Sequence, residues 1–286
     1  MASNKTIVCV GELLWDVLPD GRTLGGAPAN VAYHLARLGR AATLVTRVGR
    51  DEPGGAARVE LAAHGIDVAC VQTDAELATG AAYVTLAAHG QPAYRFVTPA
   101  AFDAIEAPPL APDVVVFGTL AQRDARSART IRRMAAGARV GVYDVNLRPP
   151  FTSIDTVAAS LPLATIVKLN DEELVTLAAA LGFPVERREF AERMAARYGV
   201  RVVCITRGAD GAGLLADSHW YDVAGIAINT IDTVGAGDAF LAALVAGWLE
   251  ARAPQTLLER ANRLGAYVAA RRGGMPAYDA RELGFD

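Results

Sequence analysis

The sequence predicts an α/β fold, in which helices pack on a mainly parallel β-sheet. Short apolar runs rich in valine and isoleucine alternate with longer segments of helical periodicity, which is typical of such sheets. The runs are apolar at nearly every position, as expected for strands buried on both faces. With 286 residues, 52% of them hydrophobic and 21% charged, the chain is long enough for one large domain or for one domain with a smaller lobe.

The individual elements follow from these patterns. Strands are predicted at residues 7–10, 44–48, 114–117, 140–145, 166–169 and 202–206. Helices are predicted at residues 28–38, 54–63, 125–136, 171–181, 189–197, 238–251 and 254–271. Pro28 is favourable at a helix start, and Gly39 and Gly65 stand where a left-handed glycine ends a helix.

One segment departs from this alternation. Residues 81–87 and 94–97 alternate apolar and polar side chains, and a turn-like cluster at 89–92 separates them. Together with residues 13–18 they predict a small separate sheet, which we interpret as a β flap over the mouth of the α/β domain.

Charge and cysteine usage exclude several classes of function. The net charge of −3 and the pI of about 5.9 provide no electrostatic footprint for nucleic acid or an anionic membrane. The three cysteines stand apart in apolar runs, which fits neither a disulfide framework nor a metal cluster. The start lacks the pattern of a signal peptide, and no apolar run approaches the roughly 20 residues of a membrane span. We therefore expect a soluble, cytoplasmic protein.

Lysine usage excludes one kind of phosphate site. The two lysines, Lys5 and Lys168, both lie outside any G-x-x-x-x-G-K-[ST] loop, so P-loop chemistry is ruled out.

The most informative motif is DTVGAGDAF at residues 232–240. Its two glycines allow backbone N–H groups to converge, and the helix that follows adds its positive end, so the motif predicts an anion site. A carboxylate at the mouth of that site, Asp238, suits a base that removes a proton from a hydroxyl attacking phosphorus. The alternative is that Asp238 only caps the helix. A dinucleotide fingerprint is excluded, because its third glycine would fall at Phe240.

A second glycine motif, GGAPAN at residues 25–30, precedes the first predicted helix. Adjacent glycines allow a ligand to approach the backbone closely. Asn30 carries both a donor and an acceptor, which suits the vicinal diol of a sugar. The alternative is a glycine turn with a purely structural role.

Taken together, the two motifs resemble the two signatures of the PfkB, or ribokinase-like, carbohydrate kinases, and the resemblance runs from about residue 6 to residue 280. The opening GELLWDVLP at residues 11–19 is most similar to the fructokinases of that family. The resemblance implies a three-layer α/β/α sandwich as a single domain over residues 1–286, with a β lid formed by about 12–24 and 79–98. It also implies a homodimer that associates through the lid.

The implied activity is ATP-dependent transfer of the γ-phosphoryl group to a primary hydroxyl of a small sugar, with fructose preferred as the acceptor. The acceptors 2-keto-3-deoxygluconate, ribose and a nucleoside stay open as alternatives. Asp238 is the implied general base, and the backbone N–H groups of Gly235, Ala236 and Gly237 are the implied anion hole. The implied sugar-binding residues are Asp16, Gly26 and Asn30, with Arg95 and Phe96 on the lid.

The resemblance also implies how nucleotide and cations bind. Asn170 and Glu173 match an N-x-x-E motif that orders Mg²⁺ and its waters, with Glu173 acting through water. The further implied nucleotide-binding residues are Asp144, Asn146, Arg148, Thr206, Gly208, Gly211 and Asn262. A potassium ion is implied near the backbone carbonyls of Asp232 and Val234. Two alternatives need no ligand: residues 170–173 as an ordinary acidic helix start, and Arg148 as a surface residue.

Two other classes of function are disfavoured. A sugar-binding sensor without catalytic activity would have lost Asp238, an anion-hole glycine or Glu173, and all of these are present. A nicotinamide-dependent oxidoreductase requires G-x-G-x-x-G after the first strand, where this chain has Gly11-Glu12-Leu13.

Overall fold

The structure is a computed structural model that describes residues 5–18, 21–86 and 92–285. Its strands are β1 (Ile7–Val10), β2 (Leu14–Leu18), β3 (Gly21–Gly25), β4 (Ala42–Gly49), β5 (Val71–Asp74), β6 (Gly80–Leu86), β7 (Pro92–Phe96), β8 (Val114–Gly118), β9 (Val140–Asp144), β10 (Ile166–Asn170), β11 (Val202–Thr206), β12 (Ala212–Ala216) and β13 (His219–Val223). Its α-helices are α1 (Ala27–Arg37), α2 (Glu52–Ala63), α3 (Ala125–Gly137), α4 (Ile154–Ser160), α5 (Asp171–Leu181), α6 (Arg187–Tyr198), α7 (Ala236–Leu249) and α8 (Pro254–Ala269).

The large sheet has the strand order β13-β12-β11-β10-β9-β8-β1-β4-β5. Its strands are parallel from β11 to β5, and β12 and β13 continue it in antiparallel register. The predicted mainly parallel sheet is therefore confirmed. The chain order reverses between β1 and β8, and the carboxyl ends of strands beside such a reversal form a crevice where ligands bind.

Helices cover both faces of this sheet, so the predicted α/β/α layering is confirmed. In β1, Ile7 and Cys9 face one apolar cluster, while Val8 and Val10 face the other. The first cluster includes residues of α1, α2, α7 and α8, and the second includes residues of α3, α4, α5 and α6. Because side chains alternate along a strand, each strand must be apolar at every position to fill both clusters.

The small sheet has the strand order β3-β2-β6-β7, with β2 and β6 parallel and both outer pairs antiparallel. A separate small sheet was predicted from residues 13–18, 81–87 and 94–97, and the structure contains one. Most of the predicted turn at 89–92 lies outside the described residues, which resume at 92. Trp15 anchors this sheet to the helical layer by donating its indole N–H to the Pro53 carbonyl at 3.0 Å.

The prediction missed strands β3, β5, β12 and β13 and helix α4. Strands β5 and β13 lack a continuous apolar run, since β5 reads VQTD and β13 reads HWYDV, whereas β12 reads AGLLA and was missed although it is buried along its whole length. Strands at sheet edges are solvated on one side, so their sequences carry little periodic signal. The glycines predicted to end two helices do so, with φ of +74° at Gly39 and +77° at Gly65.

Across the described residues, no helix is long and apolar enough to cross a membrane.

Candidate active site

A cavity of about 950 Å³ opens at the carboxyl ends of the parallel strands, beside the point where the chain order reverses. The starts of α1 and α7 both line it, and the small sheet borders it through Leu14, Asp16 and Phe96. Most of the predicted site residues line it: Asp16, Gly26, Asn30, Phe96, Asn146, Arg148, Asn170, Glu173, Thr206, Gly208, Gly211, Val234, Gly235, Ala236, Gly237, Asp238 and Asn262.

Asp238 lies in the first turn of α7, which begins after the left-handed Gly235 at φ +74°. A Cβ at Gly235 would collide with the backbone of Gly274, so only glycine fits this close approach. Within the described residues no side chain caps this helix start, so the alternative in which Asp238 is the cap is wrong. The Asp238 carboxylate instead accepts a hydrogen bond from the amide of Asn30 at 2.7 Å.

The environment of Asp238 raises its affinity for a proton. Burial raises its pKa to about 6 and the carboxylate of Asp144 adds to this, while the ammonium of Lys168 and the amide of Asn30 act in the opposite direction. The side chain is 8% exposed at the wall of the cavity. At neutral pH the carboxylate is ionised in most molecules and its pKa lies near the working pH, which favours a general base.

The start of α1 has a different electrostatic surrounding. Its first turn follows Gly26 at φ +114°, where a Cβ would collide with the carbonyl of Glu12. Glu12 is buried beside this turn, and its Oε2 has no hydrogen-bond partner among the described residues. Burial raises the pKa of Glu12 to about 7 and that of Asp16, on β2, to about 6. Such carboxyl groups can bond to hydroxyls in either protonation state, because the ionised form accepts a hydrogen bond and the protonated form can also donate one.

Two site residues were missed by sequence reasoning. Glu12 was read only as part of the motif at residues 11–19, although a glutamate two residues after a buried strand could have been tested as a ligand-facing group. Lys168 was used only to exclude a P-loop, yet its side chain lines the cavity and pairs with Asp144 at 3.1 Å. The available signal was a charged residue in the middle of an apolar strand.

Asn170 and Glu173 form a reciprocal capping box at the start of α5. The Asn170 side chain accepts the Glu173 N–H at 2.9 Å, and the Glu173 carboxylate accepts the Asn170 N–H at 2.8 Å. The other Glu173 oxygen accepts the Leu147 N–H at 2.7 Å, which joins α5 to the loop after β9. The local structure is therefore that of a capped helix start. Each carboxylate oxygen keeps a free lone pair that can accept a bond from metal-bound water.

Other predicted residues serve the turns around the cavity. Thr206 ends β11, and its hydroxyl donates to the Leu169 carbonyl at 3.4 Å. A Cβ at Gly211 would collide with the carbonyl of Val223, so this glycine is required by the packing of its turn. Asn262 donates its amide to the Ala224 carbonyl at 2.9 Å and so holds the segment that follows β13.

Arg148 and Asn146 follow β9 at the mouth of the cavity. Arg148 is exposed, and its guanidinium donates to the Leu147 carbonyl at 2.9 Å. Asn146 has an unusual φ of +37°. Arg148 is therefore both a surface residue and part of the cavity lining, so the structure is compatible with either interpretation of it, as a nucleotide-binding residue or as a surface residue.

The structure places three predicted site residues outside the cavity lining. Asp144 is buried beneath it, in the ion pair with Lys168. Arg95 is exposed on β7, with its guanidinium 4.6 Å from the ring centroid of Tyr83. Asp232 accepts backbone N–H bonds from Val234 at 3.0 Å and Gly273 at 2.9 Å, so its carboxylate ties two turns together.

Metal binding by a cluster of side chains finds no support in the part of the chain that the structure describes, where no group of three or more His, Cys, Asp or Glu is arranged to hold a metal. Asn170 and Glu173 nevertheless fit a water-mediated site, since Mg²⁺ keeps several waters and takes its remaining ligands from phosphates and one or two carboxylates.

Comparison with known proteins places this geometry in a family. The model of the pfkB family carbohydrate kinases matches residues 8–281. A fructokinase of Klebsiella pneumoniae is 31% identical over 96% of each chain, and an aminoimidazole riboside kinase of Salmonella typhimurium is 28% identical over 96% of this chain and 92% of the relative. A double mutant of Vibrio cholerae fructokinase, solved with fructose, ADP and a potassium ion, superimposes with a TM-score of 0.85 at 26% identity, covering 97% of this chain and 96% of that one. The chain belongs to the pfkB family of carbohydrate kinases.

Proposed function

We propose that this kinase transfers the γ-phosphoryl group of ATP to a primary hydroxyl of fructose, with Asp238 as the general base. One observation carries the proposal: a buried carboxylate with a pKa of about 6 faces the cavity at the start of α7, beside the backbone N–H groups of an uncapped helix. Full-length similarity to fructokinases supports fructose as the acceptor.

The reaction is a single in-line displacement. The substrate hydroxyl loses its proton to Asp238 as its oxygen forms a bond to the γ-phosphorus, and the bond between that phosphorus and the bridging oxygen breaks to release ADP. Asn30 donates to the Asp238 carboxylate and so orients the base. The nucleophile belongs to the substrate, so the protein needs no activated serine or cysteine.

The backbone N–H groups of Gly235, Ala236 and Gly237 are the anion hole for the transferring group. Their position at a helix start favours negative charge, and fixed dipoles stabilise developing charge without reorganisation. When bound, Mg²⁺ neutralises charge on the phosphates, and Asn170 and Glu173 are the residues that hold its waters. Thr206, Gly208, Gly211, Asn262, Asn146 and Arg148 form the remaining nucleotide-facing surface that we propose.

In this proposal the sugar lies on the side of the cavity away from the nucleotide, between the start of α1 and the small sheet. Asp16 and Asn30 bind its hydroxyls, Gly26 permits the close approach of the backbone, and Phe96 packs against its apolar face. The small sheet is the lid, and its closure over the sugar excludes water, which would otherwise compete as the phosphoryl acceptor.

The acceptor is tested by ADP release with MgATP and potassium across fructose, ribose, 2-keto-3-deoxygluconate, tagatose, adenosine and aminoimidazole riboside. We expect the highest kcat/KM with fructose. Preference for another acceptor would keep the kinase mechanism and overturn only the choice of fructose. A protein that binds MgATP but turns over none of them would favour a sugar-binding sensor.

We further propose a potassium site at the carbonyls of Asp232 and Val234, beside the turn at residues 272–274. In its support, the Asp232 carboxylate already holds that turn at the Gly273 N–H, which keeps the two loops together. Replacing potassium by tetramethylammonium is expected to lower turnover severalfold, and unchanged turnover would remove this part of the proposal.

A second copy of this chain is the partner that we propose, bound through the small sheet. In its support, β3 and β7 are outer strands of an open sheet, and Tyr83 on β6 is 36% exposed. Light scattering should report a dimer that Tyr83→Glu weakens, and a monomeric wild-type chain would contradict this.

A further inference from the structure

Lys168 occupies an unusual place for a lysine. It stands in the middle of β10, is 7% exposed, and lies between Val167 and Leu169, which are fully buried in the apolar cluster on the opposite face. Strand register places it directly beside Asp144 on β9, on the face of the sheet that α7 covers. Its ammonium is 3.1 and 3.2 Å from the two carboxylate oxygens of Asp144.

The same ammonium lies against the anion hole. A Cβ added at Gly237 would be 2.9 Å from Nζ of Lys168, so the lysine head group contacts the first turn of α7 from below. The absence of a side chain at residue 237 is what allows this contact. Lys168 also lines the cavity, whereas Asp144 lies behind it.

Stability alone does not account for this arrangement. A positive charge is unfavourable at a helix start, where the helix dipole is itself positive. Removing both charges of an ion pair from water costs more than their attraction returns unless the geometry is excellent, so such pairs are often neutral for stability. A buried cation beneath an anion-binding turn becomes favourable when an anion occupies the turn.

We propose that Asp144 and Lys168 are a positioning pair for phosphoryl transfer: Asp144 holds the lysine ammonium beneath Gly237, where its charge stabilises an incoming phosphoryl group without forming an ion pair with Asp238. This inference rests on the proposed kinase function and on the role of Asp238 in it. It assigns to Asp144 a role through Lys168, in place of direct contact with nucleotide.

Several charged groups act on Asp238, and the test must separate the pair from the rest. They are Asp144 on β9, Lys168 on β10, Arg148 after β9, Glu12 after β1 and Asp16 on β2. Asp144 raises the pKa of Asp238 and Lys168 lowers it. If Asp144 restrains the ammonium, then replacing Asp144 frees Lys168 to pair with Asp238. Loss of the Asp144 charge and closer approach of Lys168 both lower the pKa of Asp238.

The experiment is a ¹³C-carboxyl NMR titration of Asp238 in the full chain, with the signal assigned by its loss in Asp238→Asn. In Asp144→Asn, we expect the pKa of Asp238 to fall by about 1 or more from its value in the wild-type chain. The matched control is Asp103→Asn, which breaks the equally buried pair between Asp103 and Arg123, 2.8 Å apart. The control should lower thermal stability and leave the titration of Asp238 unchanged.

Lys168→Met and the double variant Asp144→Asn/Lys168→Met test the charge itself. We expect each to lose at least about 10-fold in kcat, while the Kd for MgADP stays within about 3-fold of wild type, since the pair acts on the transferring group. The double variant removes both charges of the pair together, so neither Lys168 nor Asp144 is left facing an uncharged partner, and it stays measurable if a single variant fails to fold.

Two results would overturn the inference: an Asp238 titration in Asp144→Asn within about 0.3 of wild type, or full kcat in the double variant. The titration needs no sugar, so it distinguishes this failure from failure of the proposed function. Retained turnover in Asp238→Asn would remove the function itself, whatever the titration showed.

Discussion

The helices α1 and α7 begin in nearly the same way and face the same cavity, yet they carry different surroundings. Both follow a glycine with positive φ, +114° at Gly26 and +74° at Gly235, and among the described residues neither start has a side-chain cap. Beside the first lie the buried carboxyl of Glu12 and that of Asp16, and beneath the second lies the ammonium of Lys168.

Under the proposed function the two starts take different ligands, so a glycine turn and a helix dipole do not by themselves select the ligand. The backbone provides N–H groups at both starts, whereas neighbouring side chains decide whether a neutral hydroxyl or an anion is favoured. A hydrogen bond from the Asn30 amide on α1 to the Asp238 carboxylate on α7 joins the two helix starts. Variants on each side should therefore separate sugar binding from phosphoryl transfer.

The largest effect is expected at the start of α7. Asp238→Asn keeps the shape of the side chain but removes the base, so kcat should fall by about 10²–10⁴ with MgADP affinity retained. Steady-state kinetics and calorimetry measure the two quantities. In the wild type, kcat/KM should also fall as the pH drops below about 6, where Asp238 becomes protonated. Turnover near the wild-type rate would contradict the assignment of the base.

At the start of α1, the corresponding change should alter stability and its dependence on pH. Because burial raises the pKa of Glu12 from 4.5 to about 7, the folded state holds its proton more tightly than the unfolded state does. The stability due to this group is full below pH 4.5 and is lost as the pH rises through 7. The free energy of unfolding of Glu12→Gln, relative to that of wild type, should therefore rise by roughly 3 kcal/mol between pH 4 and pH 8.

Urea unfolding at the two pH values measures this gain, and Glu76→Gln, at an exposed position, is the control. If the free energy of unfolding of Glu12→Gln differs from that of wild type by the same amount at both pH values, Glu12 is not a buried acid with a raised pKa.

Asn30 lies on the sugar side of the site and also contacts the base, so its replacement should affect both sugar binding and phosphoryl transfer. Asn30→Ala removes a hydrogen bond to a charged group, which is worth about 1.5–3 kcal/mol, so kcat/KM should fall by about 10–100-fold. Loss of the donor should also raise the pKa of Asp238 and shift the acidic limb of the pH profile upward. A change confined to the sugar KM, with the pH profile unmoved, would mean that the bond does not act on the base.

The smallest effects compare the glycines themselves. Gly26→Ala places a Cβ against the carbonyl of Glu12 at a φ that side chains rarely adopt, and it should cost about 1–3 kcal/mol of stability. Gly237→Ala meets only the flexible end of Lys168, so stability should change by less than about 1 kcal/mol. Displacement of the ammonium should still lower kcat severalfold. Thermal unfolding measures the stability of the two variants and steady-state kinetics measure kcat. A larger loss of stability in Gly237→Ala than in Gly26→Ala would contradict the comparison.

Local patterns were sufficient for much of this molecule. The six buried strands, seven helices and both glycine motifs were located because continuous apolar runs, helical periodicity and paired glycines are properties of short stretches of chain. Edge strands such as β5 and β13 were missed, since a strand solvated on one side has no such run. The local motif alone left Asp238 open between a base and a helix cap, and the structure removes the cap, while the base stays a prediction.

By itself, the sequence determined the layered α/β fold, the family resemblance and the two helix starts, since each depends on residues near one another in the chain. Only the tertiary structure decided which side chains surround those starts. Asn30 meets Asp238 across 208 positions, and Lys168 meets Asp144 across 24. Strand register and helix packing create these contacts, and electrostatic effects depend on distance and burial in space. Whether each helix start suits a hydroxyl or a phosphoryl group is therefore a property of the folded chain.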